Sequence, residues 1–306
     1  MLDLLKSNTY VSGENMKADL NISRTAIWKN IEGLVDLGYG IDRVRGKGYY
    51  LISIPDLLYP WELDQNIREQ FDMTHFSTID STNRYGHSVT SPHIVLAEQQ
   101  TSGKGRLGRS WASFHGGIYF SLVINPNCSM DEIPTLPLVI ATAIARVFRN
   151  HLNIHAQIKW PNDVLVNDKK VSGILVELSG ETDAPQKAII GVGINANQTV
   201  ENFPSELQDK VATLKKIKGK PIDRKVLLCK VLDEITILLN MLNENISDVL
   251  NIWKEFSCTL GKEITVKQVS SRNLAGYAID IDERGALIIE TKHGKEKILS
   301  GDTFHN

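Results

Sequence analysis

Cysteine is scarce in this chain, basic charge is not in excess, and no apolar run is long. The 306 residues hold three cysteines, Cys128, Cys229 and Cys258, far apart and without a Cys-x-x-Cys pair. That spacing writes neither a zinc framework nor a disulfide scaffold. Three separate reduced thiols in a cytosolic protein are expected, and no metal site is expected from the sequence. Lys and Arg number 34 against 36 Asp and Glu, a formal net charge of −2. This excludes a generally basic protein that coats nucleic acid, though not a small basic patch. No apolar stretch approaches the roughly 20 residues needed to cross a bilayer. The start, Met1-Leu2-Asp3-Leu4-Leu5-Lys6, is too short for a signal peptide. A soluble cytoplasmic protein with no membrane partner is expected, long enough for two or three domains that each bury a core.

What is present falls into three segments, read as residues 1–56, 59–258 and 259–306. In the first, Leu2, Leu4 and Leu5 suggest a short helix. Ser12 then caps a second helix carrying Met16 and Leu20, and Asn21-Ile22 breaks it. Ser23 caps a third, in which Ile27, Ile31 and Leu34 recur at helical spacing. Ile41 to Val44 and Tyr49 to Ile52 read as strands joined at Gly46-Lys47-Gly48. Three helices and a hairpin make a winged helix-turn-helix, its helix-turn-helix spanning Ser12 to Ile31. Ser23, Arg24, Thr25 and Lys29 open the recognition helix, while Arg43, Arg45 and Lys47 crowd the hairpin tip, where a phosphate backbone would lie. Trp28 fits either the edge of this face or a core beside Ile31 and Val35. To Ile54 the segment holds seven Lys/Arg against six Asp/Glu, so the order of elements favours DNA more than charge does. The competing reading is a protein-interaction bundle with solvated charges.

The middle segment alternates strands and helices. Strands are expected at Ile94 to Ala97, Ile118 to Ile124, Gln157 to Trp160, Val164 to Val166, Gly173 to Leu178 and Ala188 to Ile194. Helices are expected at Leu136 to Leu152 and, behind the cap Asp223, Arg224 to Leu242. Short turns such as Asn167-Asp168 imply a largely antiparallel or mixed sheet. From Gly261 only short strands remain, at Glu263 to Val266, Gly276 to Ile281 and Ala286 to Glu290, which suggests a small SH3-like barrel.

Gly103-Lys104-Gly105-Arg106-Leu107-Gly108-Arg109 satisfies G-x-G-x-x-G, yet both nucleotide fingerprints fail here. A Rossmann loop must open a helix, and Trp111 to Ile124 reads as turn and strand; a Walker loop must end in Gly-Lys-Ser/Thr. Three glycines and the cations Lys104, Arg106 and Arg109 still describe an anion-binding loop, with a basic surface turn as the bland alternative. Downstream, Lys159-Trp160-Pro161-Asn162-Asp163 presents an amide and a carboxylate at a strand end, and Lys170 opens the strand running to Glu177. A lysine there is a fixed point charge suited to an anionic intermediate. Asp80-Ser81-Thr82-Asn83 offers hydroxyls and an amide, or simply a helix cap.

In order, Asp80 to Asn83, Glu98 to Trp111, Lys159 to Asp163, Lys170 to Glu177 and Gly191-Val192-Gly193-Ile194-Asn195 resemble the motifs of the bifunctional biotin protein ligases, which also repress biotin genes. The resemblance covers essentially the whole chain. It implies an α+β multidomain fold: a winged helix in front, a mixed-sheet catalytic domain of the biotin/lipoate ligase type, and an SH3-like barrel behind. One departure stands out. The family loop usually reads Gly-Arg-Gly-Arg, and Lys104 keeps the first charge but loses the planar fork.

The implied chemistry has two steps. Biotin's carboxylate attacks the α-phosphate of ATP, giving biotinyl-5′-AMP and pyrophosphate; a lysine of an acceptor carboxylase subunit then displaces AMP. Lys170, Arg106 and Asp163 become the catalytic candidates. Two anions must meet, so Lys170 and Arg106 supply the cations. Asp163 helps deprotonate the amine, orients Lys159 or Lys170, or holds Mg²⁺. Ser81, Thr82, Asn83, Gln100, Lys104, Gly105, Arg106, Lys170 and Gly173 match the biotin site, with Gly117-Ile118-Tyr119 as a further wall. Arg109, Trp111, Lys159, Asn162, Ile194 and Asn195 match the ATP side, Trp111 stacking on adenine. Mg²⁺ is expected to arrive with ATP, and operator DNA and a ligand-promoted homodimer are the implied partners. A mixed anhydride needs shelter from water, which gives the glycine loop a reason to close on binding. Two other functions compete: a biotin-sensing repressor with a degenerate enzyme domain, and a lipoate or octanoyl ligase.

Overall fold

A computed structural model describes residues 1–7, 9–126, 132–181, 184–267 and 273–305. Cys128 lies outside the described residues, while Cys229 and Cys258 are buried free thiols. The chain divides into two compact units, Met1–Leu57 and Leu58–Asn306.

The first unit holds α1 (Leu2–Leu5), α2 (Gly13–Leu20), α3 (Arg24–Asp36), β1 (Gly40–Val44) and β2 (Gly48–Ser53). Its starts and stops are local chemistry. Ser12 Oγ accepts from Asn15 N–H at 3.1 Å and Ser23 Oγ from Ala26 N–H at 3.2 Å. Between the helices Asn21 takes the left-handed conformation, φ 51°, which ends α2 within one residue. Leu5, Met16, Ile27 and Ile31 form the core, and β1 and β2 pair antiparallel as the wing. Trp28 is outside that core, 52% exposed.

The second unit runs α4 (Gln65–Gln70), β3 (Asp72–Phe76), α5 (Thr82–Gly86), β4 (His93–Ala97), β5 (Ile118–Ile124), α6 (Leu136–Leu152), β6 (Gln157–Lys159), β7 (Asp163–Val166), β8 (Lys169–Glu181), β9 (Ala184–Ile194), α7 (Ser205–Gln208), α8 (Leu214–Lys218), α9 (Arg224–Glu244) and α10 (Ile246–Phe256). The strands form one sheet in the order β3-β4-β5-β9-β8-β7-β6. Within it β3 and β4 are parallel and every other pair is antiparallel. Helix α6 is buried along most of its length, and α6 and α9 pack with the inward residues of β5, β8 and β9 in one core. The expected elements do not include α4, β3, α7, α8 or α10, and two of these show why. Strand β3 is mostly half-buried and carries only Met73 and Phe76 as apolar side chains, too few to alternate. Helix α10 follows α9 without a loop, because Asn245 closes one and caps the next, donating N–H to Met241 O and accepting from Ser247 N–H.

Strands β10 (Glu263–Lys267), β11 (Leu274–Ile281), β12 (Leu287–Thr291), β13 (Gly294–Ile298) and β14 (Asp302–His305) make an antiparallel sheet ordered β13-β12-β11-β10-β14. This is the small SH3-like β module. Four of the five β13 residues are exposed, so no apolar rhythm announced it. Trp160 fastens the module to the rest of the unit. Its Nε1–H donates to Gly285 O at 3.0 Å, its backbone N–H to Thr259 Oγ1 at 2.9 Å, and its carbonyl accepts from Thr303 Oγ1 at 3.0 Å.

Candidate functional site

Side chains along β9 alternate with period two. Ile190, Val192 and Ile194 enter the core, leaving Gly191 and Gly193 on the opposite face. There they floor a cavity of about 540 Å³, lined also by Ser81, Thr82, Asn83, Gln100, Lys104, Gly105, Arg106, Arg109, Trp111, Lys159, Asn162, Asp163, Lys170, Gly173 and Asn195. Of the residues expected to hold ligand, Ile194 is not among the lining residues: its side chain is fully buried in the core, so only its backbone neighbours face the site. The wall expected from Gly117-Ile118-Tyr119 is not there either. Ile118 is a core residue, Gly117 O accepts from Arg224 Nη1 at 2.6 Å, and Tyr119 OH donates to Phe114 O at 2.8 Å.

One end of the cavity is a fixed polar network. Ser81 caps α5, its Oγ accepting from Arg84 N–H at 3.4 Å. Gln100 Oε1 accepts from Thr82 N–H at 2.9 Å, and Gln100 Nε2 donates to Ser113 Oγ at 2.9 Å. The Ser121 hydroxyl donates to Asn83 Oδ1 at 2.6 Å and lies 2.8 Å from Thr82 Oγ1, and Asn83 Nδ2 donates to Glu177 Oε2 at 2.8 Å. Ser81, Thr82, Asn83 and Ser121 are all buried. Their orientations are therefore set before any ligand arrives, and the amides of Asn83 and Gln100 each carry a second N–H for it. Ser113, Ser121 and Glu177 were not anticipated as parts of the site. A serine inside the apolar strand Ile118–Ile124 was the available signal for Ser121.

At the other end lie the cations. Lys170 Nζ pairs with Asp163 Oδ1 at 2.7 Å and stands 5.1 Å from the centre of the Trp111 ring. The Trp111 indole rests against Gly173 and Gly193, where a Cβ would approach it to 2.7 and 2.3 Å. Only glycine lets the ring lie flat on the sheet. Asn162 Nδ2 donates to Ile174 O at 2.7 Å, and Asn195 Nδ2 to Lys170 O at 3.3 Å. Two buried polar atoms of this end, Trp111 Nε1 and Asn195 Oδ1, have no hydrogen-bond partner among the described residues, an arrangement that favours a polar ligand.

The glycine loop is a closed hairpin. Trp111 N–H donates to Gly103 O at 2.8 Å, Lys104 bridges Ser110, and Gly105 N–H donates to Arg109 O at 2.7 Å. Its tip turns through Leu107 and Gly108, at φ 58° and 72°, with Leu107 exposed. Two contacts hold it to the β module, Arg106 Nη1 donating to Gly301 O at 3.3 Å and Arg109 ion-paired with Asp302, and Arg106 Nη1 also donates to Asn162 Oδ1 of the central sheet at 3.3 Å. Burial of Arg106 lowers its pKa from the ordinary value, against the favourable charges of Asp302 and Asp163. Gly301 and Asp302 were invisible to motif reading, since nothing local to either marks it.

In the first unit Arg24, Thr25, Trp28 and Lys29 are exposed on α3, with Ser23 as its cap. Arg24 pairs with Glu14 and Arg43 with Glu32, so two of the expected DNA contacts are engaged within the unit. Arg45 and Lys47 are exposed at the wing, Lys47 Nζ lying 5.8 Å from the Tyr10 ring centre.

Comparison with known proteins agrees with this architecture. The family described as biotin/lipoate A/B protein ligase matches residues 75–195, an HTH domain matches 1–50, and the biotin protein ligase C-terminal domain matches 259–305. The bifunctional ligase/repressor BirA of Bacillus spizizenii is 34% identical, over 96% of this chain and 93% of the relative. That of Escherichia coli is 32% identical, over 95% and 91%. Among solved structures, the Aquifex aeolicus biotin protein ligase in complex with biotin and ATP superposes with a TM-score of 0.68 at 34% identity, covering 77% of this chain and 98% of that one. The chain belongs to the biotin protein ligase family, and within it to the bifunctional ligase/repressor group.

Proposed function

We propose that this chain is an ATP-dependent biotin protein ligase that forms biotinyl-5′-AMP, transfers biotin to a lysine of an acceptor carboxylase subunit, and represses transcription in response to biotin. One observation carries the reading: a fixed hydrogen-bonding network and the cations Arg106 and Lys170 share a single cavity under a glycine hairpin. The network of Ser81, Thr82, Asn83 and Gln100 suits the ureido ring, which needs both donors and acceptors. The carboxylate then meets the α-phosphate between Lys170 and Arg106, whose charges offset the repulsion of two anions. Carboxylate oxygen attacks phosphorus, the bond to the β-phosphate oxygen breaks, and pyrophosphate leaves. In the second step an acceptor amine attacks the acyl carbon, the bond to AMP breaks, and the amine loses a proton. The 2.7 Å pair with Lys170 supports a positioning role for Asp163. Trp111, Asn162 and Asn195 serve the nucleotide, with Lys104, Lys159 and Arg109 as further charges at the mouth.

Mg²⁺ enters with the triphosphate. In this reading the phosphate oxygens and water supply most of its ligands. The winged helix binds operator DNA, and a homodimer promoted by ligand is part of the same reading. Three functional divisions, 1–56, 59–258 and 259–306, follow the segments. Among the described residues no helix is long and apolar enough to cross a membrane; a cytoplasmic location belongs to the proposal.

The test is pyrophosphate release with biotin, ATP and Mg²⁺, with and without a biotin-accepting carrier domain. Release, a tightly held adenylate and biotinylated carrier are expected. No turnover despite measurable biotin binding would leave a ligand-sensing repressor, and preference for lipoate in competition would leave a lipoate ligase.

A further inference from the structure

Between Asp209 and Asp223 the chain carries five lysines, Lys210, Lys215, Lys216, Lys218 and Lys220, and no acid, in a protein whose formal net charge is −2. All five are exposed. Among the described residues, none of them enters an ion pair, unlike Lys170 and Arg109 in the cavity. The ribbon is also fixed in place. Lys170 N–H donates to Lys210 O at 2.8 Å and Ala212 N–H to Lys170 O at 3.1 Å, so its first residues run beside the strand carrying the central cation. Leu214 N–H donates to Asn195 O at 2.9 Å and Lys215 N–H to Ala196 O at 2.8 Å, which ties α8 to the end of β9. Beyond α8, Lys218 Nζ donates to Leu152 O at 2.8 Å, capping the end of α6, and Lys220 and Lys230 line a second hollow with His151. Lys210 lines the main cavity. Positive charge therefore begins at the site where the acyl adenylate would form and leads away from it across the surface.

We propose that this lysine ribbon is the docking surface for the acceptor protein, and that the acceptor presents an acidic face around its target lysine. The proposal rests on the ligase reading above. On that reading the nucleotide occupies the cavity, whereas the ribbon extends past it to the end of α6, a span that only a macromolecule covers. That macromolecule must bring an amine to the cavity mouth, as the second half-reaction demands of the acceptor protein. Uncompensated lysines on the approach raise the encounter rate with an acidic partner and fix its register.

The test reverses Lys215, Lys216 and Lys220 together to Glu in the full chain, sparing Lys210 in the cavity and Lys218, which caps α6. Pyrophosphate release without acceptor reports folding and adenylate formation; transfer to a purified biotin-accepting carrier domain of net negative charge reports docking. The expected result is unchanged release and an unchanged KM for ATP, with a KM for the carrier raised about tenfold at low ionic strength. The gap should narrow towards 0.5 M salt, where the screening length is a few ångströms (~4 Å). A carrier KM equal to wild type overturns the proposal. So does an equal rise in the KM for ATP, which would make the ribbon a nucleotide funnel, or a loss confined to operator affinity, which would make it a DNA contact. Absence of pyrophosphate release in the wild type would instead defeat the ligase reading itself.

Discussion

A methyl group at Gly191 would stand 2.2 Å from Asn83 Oδ1, and one at Gly193 would stand 2.3 Å from Trp111 Nε1. The two glycines are two residues apart on one strand, yet each supports a different half of the site. Gly191→Ala is expected to disturb the hydrogen-bonding network and raise the KM for biotin more than that for ATP. Gly193→Ala should lift the indole off the sheet and do the reverse. A shift of a fraction of an ångström to one ångström makes a change of about 10- to 100-fold reasonable in each case, and steady-state kinetics with each substrate varied separates them. Arg106→Gly removes the cation that joins the hairpin to Asn162 and Gly301. Faster escape of the adenylate and weaker biotin binding are expected, read by a chase of labelled intermediate; unchanged retention would mean that Arg106 is not the key to closure. The polar residues of the site were legible as types in motifs. Ser121 was hidden because a serine in an apolar strand carries no motif of its own.

Helix α3 shows how far local signals reach. Ser23 caps it as its sequence implies, and Ser23→Ala should lower the stability of the winged-helix unit by about 1 kcal/mol, seen as an earlier unfolding step. Helical spacing gave Ile27 and Ile31 as its inward face but left Trp28 undecided; packing of α1 and α2 against one side only leaves that indole in solvent. Arg24 must give up its pair with Glu14 to reach a phosphate. Exposed pairs are worth about 0–1 kcal/mol, so this exchange is cheap. Arg24→Ala should weaken operator binding, reduce the slope of log K against log salt by about 0.9, and leave ligation intact. Equal loss of both activities would assign the residue to folding. Apolar alternation marks β8 only from Gly173, and the motif places its start at Lys170; the strand begins at Lys169, because the backbone pairs with β7 while Lys169, Lys170 and Ser172 interrupt the apolar pattern.

At the scale of the whole second unit, Arg224 and Glu98 form an ion pair in which both side chains are buried. Arg224 Nη1 donates to Glu98 Oε2 at 2.9 Å with both side chains almost wholly enclosed, and Glu98 Oε1 also accepts from Leu58 N–H at 2.6 Å. Burial pushes the Glu98 pKa up, but the hydrogen bond with His75, the charge of Arg224 and the Leu58 N–H outweigh it and leave the carboxyl below its ordinary value. A depressed carboxyl contributes stability that is present above its unfolded pKa and lost as pH falls through its folded one. Glu98→Gln should therefore flatten the acid limb of stability against pH, measured by denaturant titration. Arg224→Met strands a buried carboxylate and should cost about 3–5 kcal/mol near neutral pH. Burial also pushes the Cys229 thiol up to about 11, so its alkylation should be slow until the chain unfolds.

Caps, periods, turn residues and the stock of cations and amides belong to neighbouring positions, so they can be read directly along the chain. Contacts between distant positions were left to tertiary structure. Arg109 and Asp302 meet across 193 residues, and Arg106 and Gly301 across 195. The choice of face on β9 is of the same kind. A strand's two faces alternate identically on paper, and Gly193 faces the cavity while Ile194 faces the core only because α6 and α9 cover one side of the sheet. Burial of apolar area decides which side the helices cover, and that area exists only once the strands are assembled.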